Sequence, residues 1–85
     1  MRIRVLFFAS CREAANCDSY DITIDDSDSN DFDTNMLLST LRKDIPAIEV
    51  ILDNISLAVN KSYVRGVVKL NDGDEIALLP PISGG

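Results

Sequence analysis

The sequence predicts an α+β domain, one main helix packed on one mixed sheet, from three observations. Apolar residues alternate with period two in short stretches near both ends of the 85-residue chain. One longer stretch near the middle has helical spacing, and the last apolar stretch, Ile76-Ala77-Leu78-Leu79, is apolar on both sides. Period two marks a half-buried strand, helical spacing marks an amphipathic helix, and a strand apolar on both faces belongs at the centre of a covered sheet. A chain of this size supports one core and one domain.

Arg2 to Phe8 places Ile3, Val5 and Phe7 on one face and Arg2, Arg4, Leu6 and Phe8 on the other. Ser10 to Ala15 fits a short helical turn with Ser10 as N-cap and Glu13 closing a capping box. Tyr20, Ile22 and Ile24 share one side of a second strand paired to the first. From Asn35 to Lys43, Leu37, Leu38 and Leu41 form a helical stripe, Arg42 and Lys43 favour the C-terminal end of the dipole, and Pro46 stops the helix. Ile48 to Leu52 fits a further helical turn. Ile55 to Asn60 alternates as a strand with Ile55, Leu57 and Val59 on one side, and Lys61-Ser62 is expected to turn the chain. Tyr63-Val64 and Val67-Val68 are expected as strand pieces around Gly66, Asn71-Asp72-Gly73-Asp74 as a turn, and Glu75 to Leu79 as the last strand. The order β-β-α-β-β-β suggests a β-grasp, with the first and last strands side by side at the sheet centre.

Fourteen acidic residues against eight basic ones give a net charge of −6. That balance argues against nucleic acid as a partner, which requires clustered positive charge, and favours a basic protein surface. Residues 25–33 form an acidic, low-complexity stretch expected to be a solvated loop. Counting Asp26 as position 1 of a calcium loop puts Asp28 at 3 and Asn30 at 5. Asp31 then replaces the turn glycine and Leu37 the bidentate glutamate, so the match fails. Asp33 or Thr34 fits better as the cap of the main helix. Cys11 and Cys17 stand five residues apart, matching neither a redox pair nor zinc spacing, and with no histidine in the chain no metal site is expected. Two free thiols are expected. Met1-Arg2-Ile3-Arg4 enters a strand without a signal-peptide pattern, and no apolar run approaches membrane-spanning length, so the expectation is a soluble protein of the cytosol with no membrane partner.

The chain is thus divided into a domain over 1–79 and an arm over 80–85. The arm is Pro80-Pro81-Ile82-Ser83-Gly84-Gly85. Two prolines cannot continue a strand ladder, and are expected to project the end as a semi-extended tail. Gly84 and Gly85 carry no Cβ and pass through a slot barely wider than a backbone. A terminal carboxylate is a poor electrophile, so a reactive end requires a partner that activates it. Leu6 and Phe8 should emerge on the sheet face away from the helix, with Leu79 beside Phe8 on the neighbouring strand and Tyr63 extending the patch from the preceding hairpin. Contiguous exposed apolar surface of this kind marks a partner site.

Four segments together resemble the small, sulfur-carrying subunits of molybdopterin synthase, a family of ubiquitin-like β-grasp proteins. They are Val5-Leu6-Phe7-Phe8-Ala9 with Arg12-Glu13, Ala58-Val59-Asn60, Asp72-Gly73-Asp74-Glu75-Ile76-Ala77, and Pro80-Pro81-Ile82-Ser83-Gly84-Gly85. The resemblance spans essentially the whole chain, and the last two segments in combination are its most specific part. The acidic stretch 25–33 looks longer than the family pattern. The resemblance implies that an E1-like enzyme adenylates the Gly85 carboxylate with ATP and that sulfur displaces AMP. The resulting thiocarboxylate, a transient 1-thioglycine at Gly85, would enter the large synthase subunit and deliver sulfur to precursor Z for the molybdopterin dithiolene of the molybdenum cofactor. It also implies Phe8, Tyr63 and Leu79 as the docking patch, Arg12 as a polar partner contact, no permanently bound cofactor, and a heterotetramer with two carriers at opposite ends. A carrier for thiamine synthesis or tRNA thiolation, or a ubiquitin-like modifier, shares the same chemistry of the end.

Overall fold

The computed structural model describes residues 1–25, 27 and 30–80. The sheet order is β2-β1-β5-β3-β4, with β1 (Arg2–Phe7) and β5 (Glu75–Leu79) parallel at the centre. On one side β1 pairs antiparallel with β2 (Ser19–Thr23). On the other, β5 pairs antiparallel with β3 (Ser56–Val59), which pairs with β4 (Ser62–Val64) at the edge. This is the α+β β-grasp arrangement that the order of elements suggests.

The covered face is built by strand parity. Ile3, Val5 and Phe7 of β1, Ile22 of β2 and Ile76 and Leu78 of β5 are buried. They meet Leu37 and Leu41 of the main helix α2 (Thr34–Asp44), with Ile48 of a 3₁₀ turn and Leu52 of the short helix α3 (Glu49–Leu52). Leu57 and Val59 pack on the same core from β3, opposite Leu78 and Ile76. The α2 stripe and the Pro46 stop are as the spacing predicts. Asp33 is the N-cap, its carboxylate accepting from Met36 N at 2.9 Å. No helix among the described residues is long and apolar enough to cross a membrane.

Four local expectations are corrected. In α1 (Ser10–Ala15) the N-cap is Ala9, not Ser10, and no side chain caps it, so the capping box does not form. The hairpin between β3 and β4 turns at Asn60-Lys61, not Lys61-Ser62. Both residues have positive φ, 50° and 74°, the mirror-image turn that matches strand twist. Asn60 holds this turn to β5: its Nδ2 donates to Asp74 Oδ1 at 2.9 Å and its Oδ1 accepts from Glu75 N at 3.0 Å. Val67-Val68 is not a strand.

The fourth correction concerns the acidic stretch. Asp26, Asp28 and Ser29 lie outside the described residues, but Phe32 within the stretch is 3% exposed and belongs to the core. It is held there by a clip between 32–34 and 68–70. Leu70 N donates to Phe32 O, Thr34 N to Val68 O, and Val68 N to the 2% exposed Thr34 Oγ1. A bridge between Asp33 and Lys69 completes it. The C-terminal part of the stretch is therefore a lid on the core with acidic residues on its outside.

Candidate docking face

On the uncovered side of the sheet, register turns sequence alternation into rows across the strands. At one end Asp21, Arg4 and Glu75 are paired across β2, β1 and β5. Arg4 Nε lies 3.1 Å from Asp21 Oδ1, and this hydrogen-bonded partner raises the arginine's pKa. The next row runs Ser19, Leu6, Ala77, Ala58 and Tyr63 through all five strands. The last contains Leu79 paired with Ser56, with Phe8 one residue beyond the Phe7–Leu78 pair. The face thus changes from charged to apolar along the direction in which β5 runs.

The apolar end has a flat floor and raised sides. Ala58 is only 5% exposed, and Leu6, Ala77 and Leu79 are half-buried, so low-lying side chains form the floor, with alanines at its middle. Phe8 is 44% and Tyr63 74% exposed at its margins. Phe8 is placed by a tight turn. Its carbonyl accepts from Cys11 N at 2.9 Å and Arg12 N at 3.4 Å, while Ala9 takes a positive φ of 47°, a conformation costly for a residue with a Cβ. The local backbone accepts that strain where the chain leaves β1 and enters α1.

Phe8, Tyr63 and Leu79 therefore share one side of the sheet, as strand parity predicts. Leu6, Ala58 and Ala77 complete the surface, and the alternation within β1 already separated Leu6 from the core. The contribution of Ala58 and Ala77 needed the register, since alanine carries no signal of its own. Arg12 is exposed on α1, 3.7 Å from Asp18 through its Nε, four residues after Phe8 and outside the rows. β5 ends at Leu79, and its pairing with β3 ends at Ser56. Pro80 follows, half-buried, with no N–H to extend the ladder. Pro81, Ile82, Ser83, Gly84 and Gly85 lie outside the described residues.

The thiols differ. Cys11 is fully buried in the core and burial raises its pKa, whereas Cys17 is half-buried; both are free. Neither is part of the apolar face.

Comparison with known proteins agrees with the fold. Residues 5–85 match the ThiS family. The chain is 37% identical to the molybdopterin synthase sulfur carrier subunit of Chlamydomonas reinhardtii, over all of both chains. Among solved structures it superposes on SAMP1 from Haloferax volcanii with a TM-score of 0.85 at 26% identity, covering all of both chains. It also superposes on a chain from the complex of subunits 1 and 2 of molybdopterin-converting factor from Helicobacter pylori, with a TM-score of 0.72, 26% identity and full coverage of both. The chain belongs to the ThiS family, alongside the molybdopterin synthase sulfur carrier subunits.

Proposed function

We propose that this chain is the sulfur carrier subunit of molybdopterin synthase, a sulfur-donating subunit that works in the cytosol inside a partner's active site. The observation that carries the reading is the full-length likeness to a sulfur carrier subunit, on a fold whose uncovered face becomes apolar where β5 reaches Pro80. Its division of labour is a rigid domain over 1–79 and a reagent arm over 80–85.

The chemistry takes place on Gly85. An E1-like enzyme would adenylate its carboxylate: a carboxylate oxygen attacks the α-phosphorus of ATP and pyrophosphate leaves. The acyl adenylate has a good leaving group where the carboxylate had none. A sulfur nucleophile then attacks the carbonyl carbon, AMP departs with the former carboxylate oxygen, and a thiocarboxylate remains. In the large subunit the thiocarboxylate sulfur bonds to a carbon of precursor Z as that carbon's bond to an oxygen substituent breaks and the oxygen departs. Water cleaves the resulting thioester, leaving the sulfur on the pterin and a carboxylate on Gly85. Two such deliveries supply the dithiolene. Cations of the large subunit hold the anionic arm, a role for which this acidic chain is unsuited. Phe8, Leu79 and Tyr63 bury against that subunit, Arg12 adds a polar contact, and Pro80 to Gly84 carry the reactive carbon into the pocket.

The likeness to SAMP1 favours a second reading, a modifier whose Gly85 is joined to a target amine. Intact-mass analysis of the native protein and its co-purifying chains separates the two. The carrier reading expects one sulfur in place of one terminal oxygen and a larger synthase subunit in the complex. An isopeptide-linked target without thiocarboxylate would overturn it.

A further inference from the structure

We propose that the outer edge of β2, with the groove beside it, receives an extended segment of a second protein whose residues alternate basic and apolar. The edge is open. Met1 and Ile24 exchange backbone hydrogen bonds of 3.0 and 2.8 Å, and Phe7 N donates to Asp18 O at 2.9 Å. With the β1–β2 register, this commits the backbone groups of Asp18, Tyr20, Ile22 and Ile24 to β1 and turns those of Ser19, Asp21 and Thr23 outward. The outward groups of these three residues have no partner among the described residues. The other edge, β4, offers only three residues behind a tight turn.

Beside the β2 edge, between β2 and α2 on the helix side of the sheet, lies a groove of about 300 Å³. It is lined chiefly by Ile22, Ile24, Phe32, Met36 and Thr40, with Asp25 the one charged residue among those described. Both ends are fixed. The Tyr20 hydroxyl donates to Asp44 Oδ2 at 2.8 Å, tying β2 to the end of α2, and the 32–34 clip holds Phe32. A strand added to β2 turns alternate side chains to the helix side, so one of them enters the groove. Main-chain bonds to Ser19, Asp21 and Thr23 hold its backbone meanwhile. Met36, exposed and unbranched, adapts to the side chain that enters.

Charge selects the occupant. Asp18 to Asp25 carries three carboxylates and no cation. A second copy of this chain would oppose like charges across the new ladder, which destabilises pairing. An edge guarded only against self-association needs its charges but no apolar groove beside them. Asp21 already shares Arg4 and Arg2, at 3.1 and 3.9 Å, so the unshared charge lies toward Phe32. There Asp25 and Asp31 are exposed and make no ion pair among the described residues. A lysine or arginine of the partner meets them when its apolar neighbour sits over Ile22 and Met36. The groove is on the helix side and Phe8 and Leu79 are on the open face, so this surface is separate from the docking face and does not depend on the carrier reading.

The test titrates the isotope-labelled full chain with an end-blocked peptide of alternating lysine and valine, following backbone amide shifts and hydrogen exchange. Glutamate–valine and lysine–serine peptides of the same length run alongside. The lysine–valine peptide is expected to bind saturably, shifting amides of β2 and α2 and slowing exchange at Ser19, Asp21 and Thr23. The other two peptides are expected to bind at least about tenfold more weakly. Met36→Lys, at an exposed position, is expected to leave the melting temperature unchanged and to weaken the lysine–valine peptide about tenfold. Equal binding of the lysine–serine peptide would mean charge attraction alone and would overturn the proposal. Shifts centred on Leu6, Ala77 and Leu79 would put the peptide on the open face and overturn it too, as would no binding up to about 1 mM peptide.

Discussion

The two faces of one sheet are written by alternate residues of the same strands, yet they serve opposite ends. On β1, Ile3, Val5 and Phe7 are buried under α2, while Arg4, Leu6 and Phe8 look away from it. On β5, Ile76 and Leu78 close the core, while Ala77 and Leu79 form the floor of the open side. The covered face is apolar from end to end, as a core must be. The open face is graded, charged at Arg4 and Glu75 and apolar at Leu79, and only a directional partner gives such a gradient a use. Side-chain size differs too: large residues interlock on the covered face, and alanines keep the middle of the open face flat. Substitutions on the two faces should therefore separate stability from binding.

The largest effect is expected on the covered face. Leu78→Ala removes a fully buried side chain at the centre of the sheet and should cost about 2–5 kcal/mol in chemical denaturation. On the open face, the comparison should invert. Phe8→Asp should leave stability within about 1 kcal/mol, because Phe8 is 44% exposed, while weakening large-subunit affinity by about 1–3 kcal/mol. Unchanged affinity would remove Phe8 from the patch, and unfolding would mean that the open face also carries the core. A smaller loss, about 1 kcal/mol of stability with no change in docking, is expected for Asp33→Ala, which removes the α2 cap far from the docking face.

The smallest predicted effect is a pH dependence confined to the core side. Cys11 and Tyr20 have folded pKa values raised above ordinary ones, Cys11 by burial and Tyr20 chiefly by its hydrogen bond to Asp44. Both hold their protons more tightly when folded, so their contribution is present below the unfolded pKa values. It is lost as pH rises past the ordinary thiol value of 9.0 and then the tyrosine value of 10.0. Denaturation midpoints should fall from pH 9 upward, and Cys11→Ser should remove the earlier part of that fall. Alkylation should modify Cys17 well before Cys11.

Most of the fold was legible because its signals are local. Period two set β1 and β2, the two-sided apolar run Ile76 to Leu79 set β5, helical spacing with Pro46 set α2, and Asp72-Gly73 set the last turn, where Gly73 takes φ of 85°. What escaped was non-local. Phe32 reads as one aromatic in an acidic run, and only the Thr34–Val68 and Phe32–Leu70 hydrogen bonds make it core. Thr34 looked like an alternative cap, yet it spends its hydroxyl on Val68 N, leaving the cap to Asp33. Asn60-Lys61 lacks the glycine that marks such turns, and the Asn60 bonds to Asp74 and Glu75 stand in for it. The docking face was half legible: parity named Phe8 and Leu79, whereas the place of Ala58 and Ala77 depends on cross-strand register.

The central claim is that the open face docks and Gly85 reacts, two functions separable by one residue. The most direct test removes Gly85 and measures large-subunit binding and sulfur transfer on the same preparation. The account predicts binding within about threefold of the intact chain, because the apolar rows carry it, and no detectable transfer. Transfer at the intact rate by the shortened chain would contradict it.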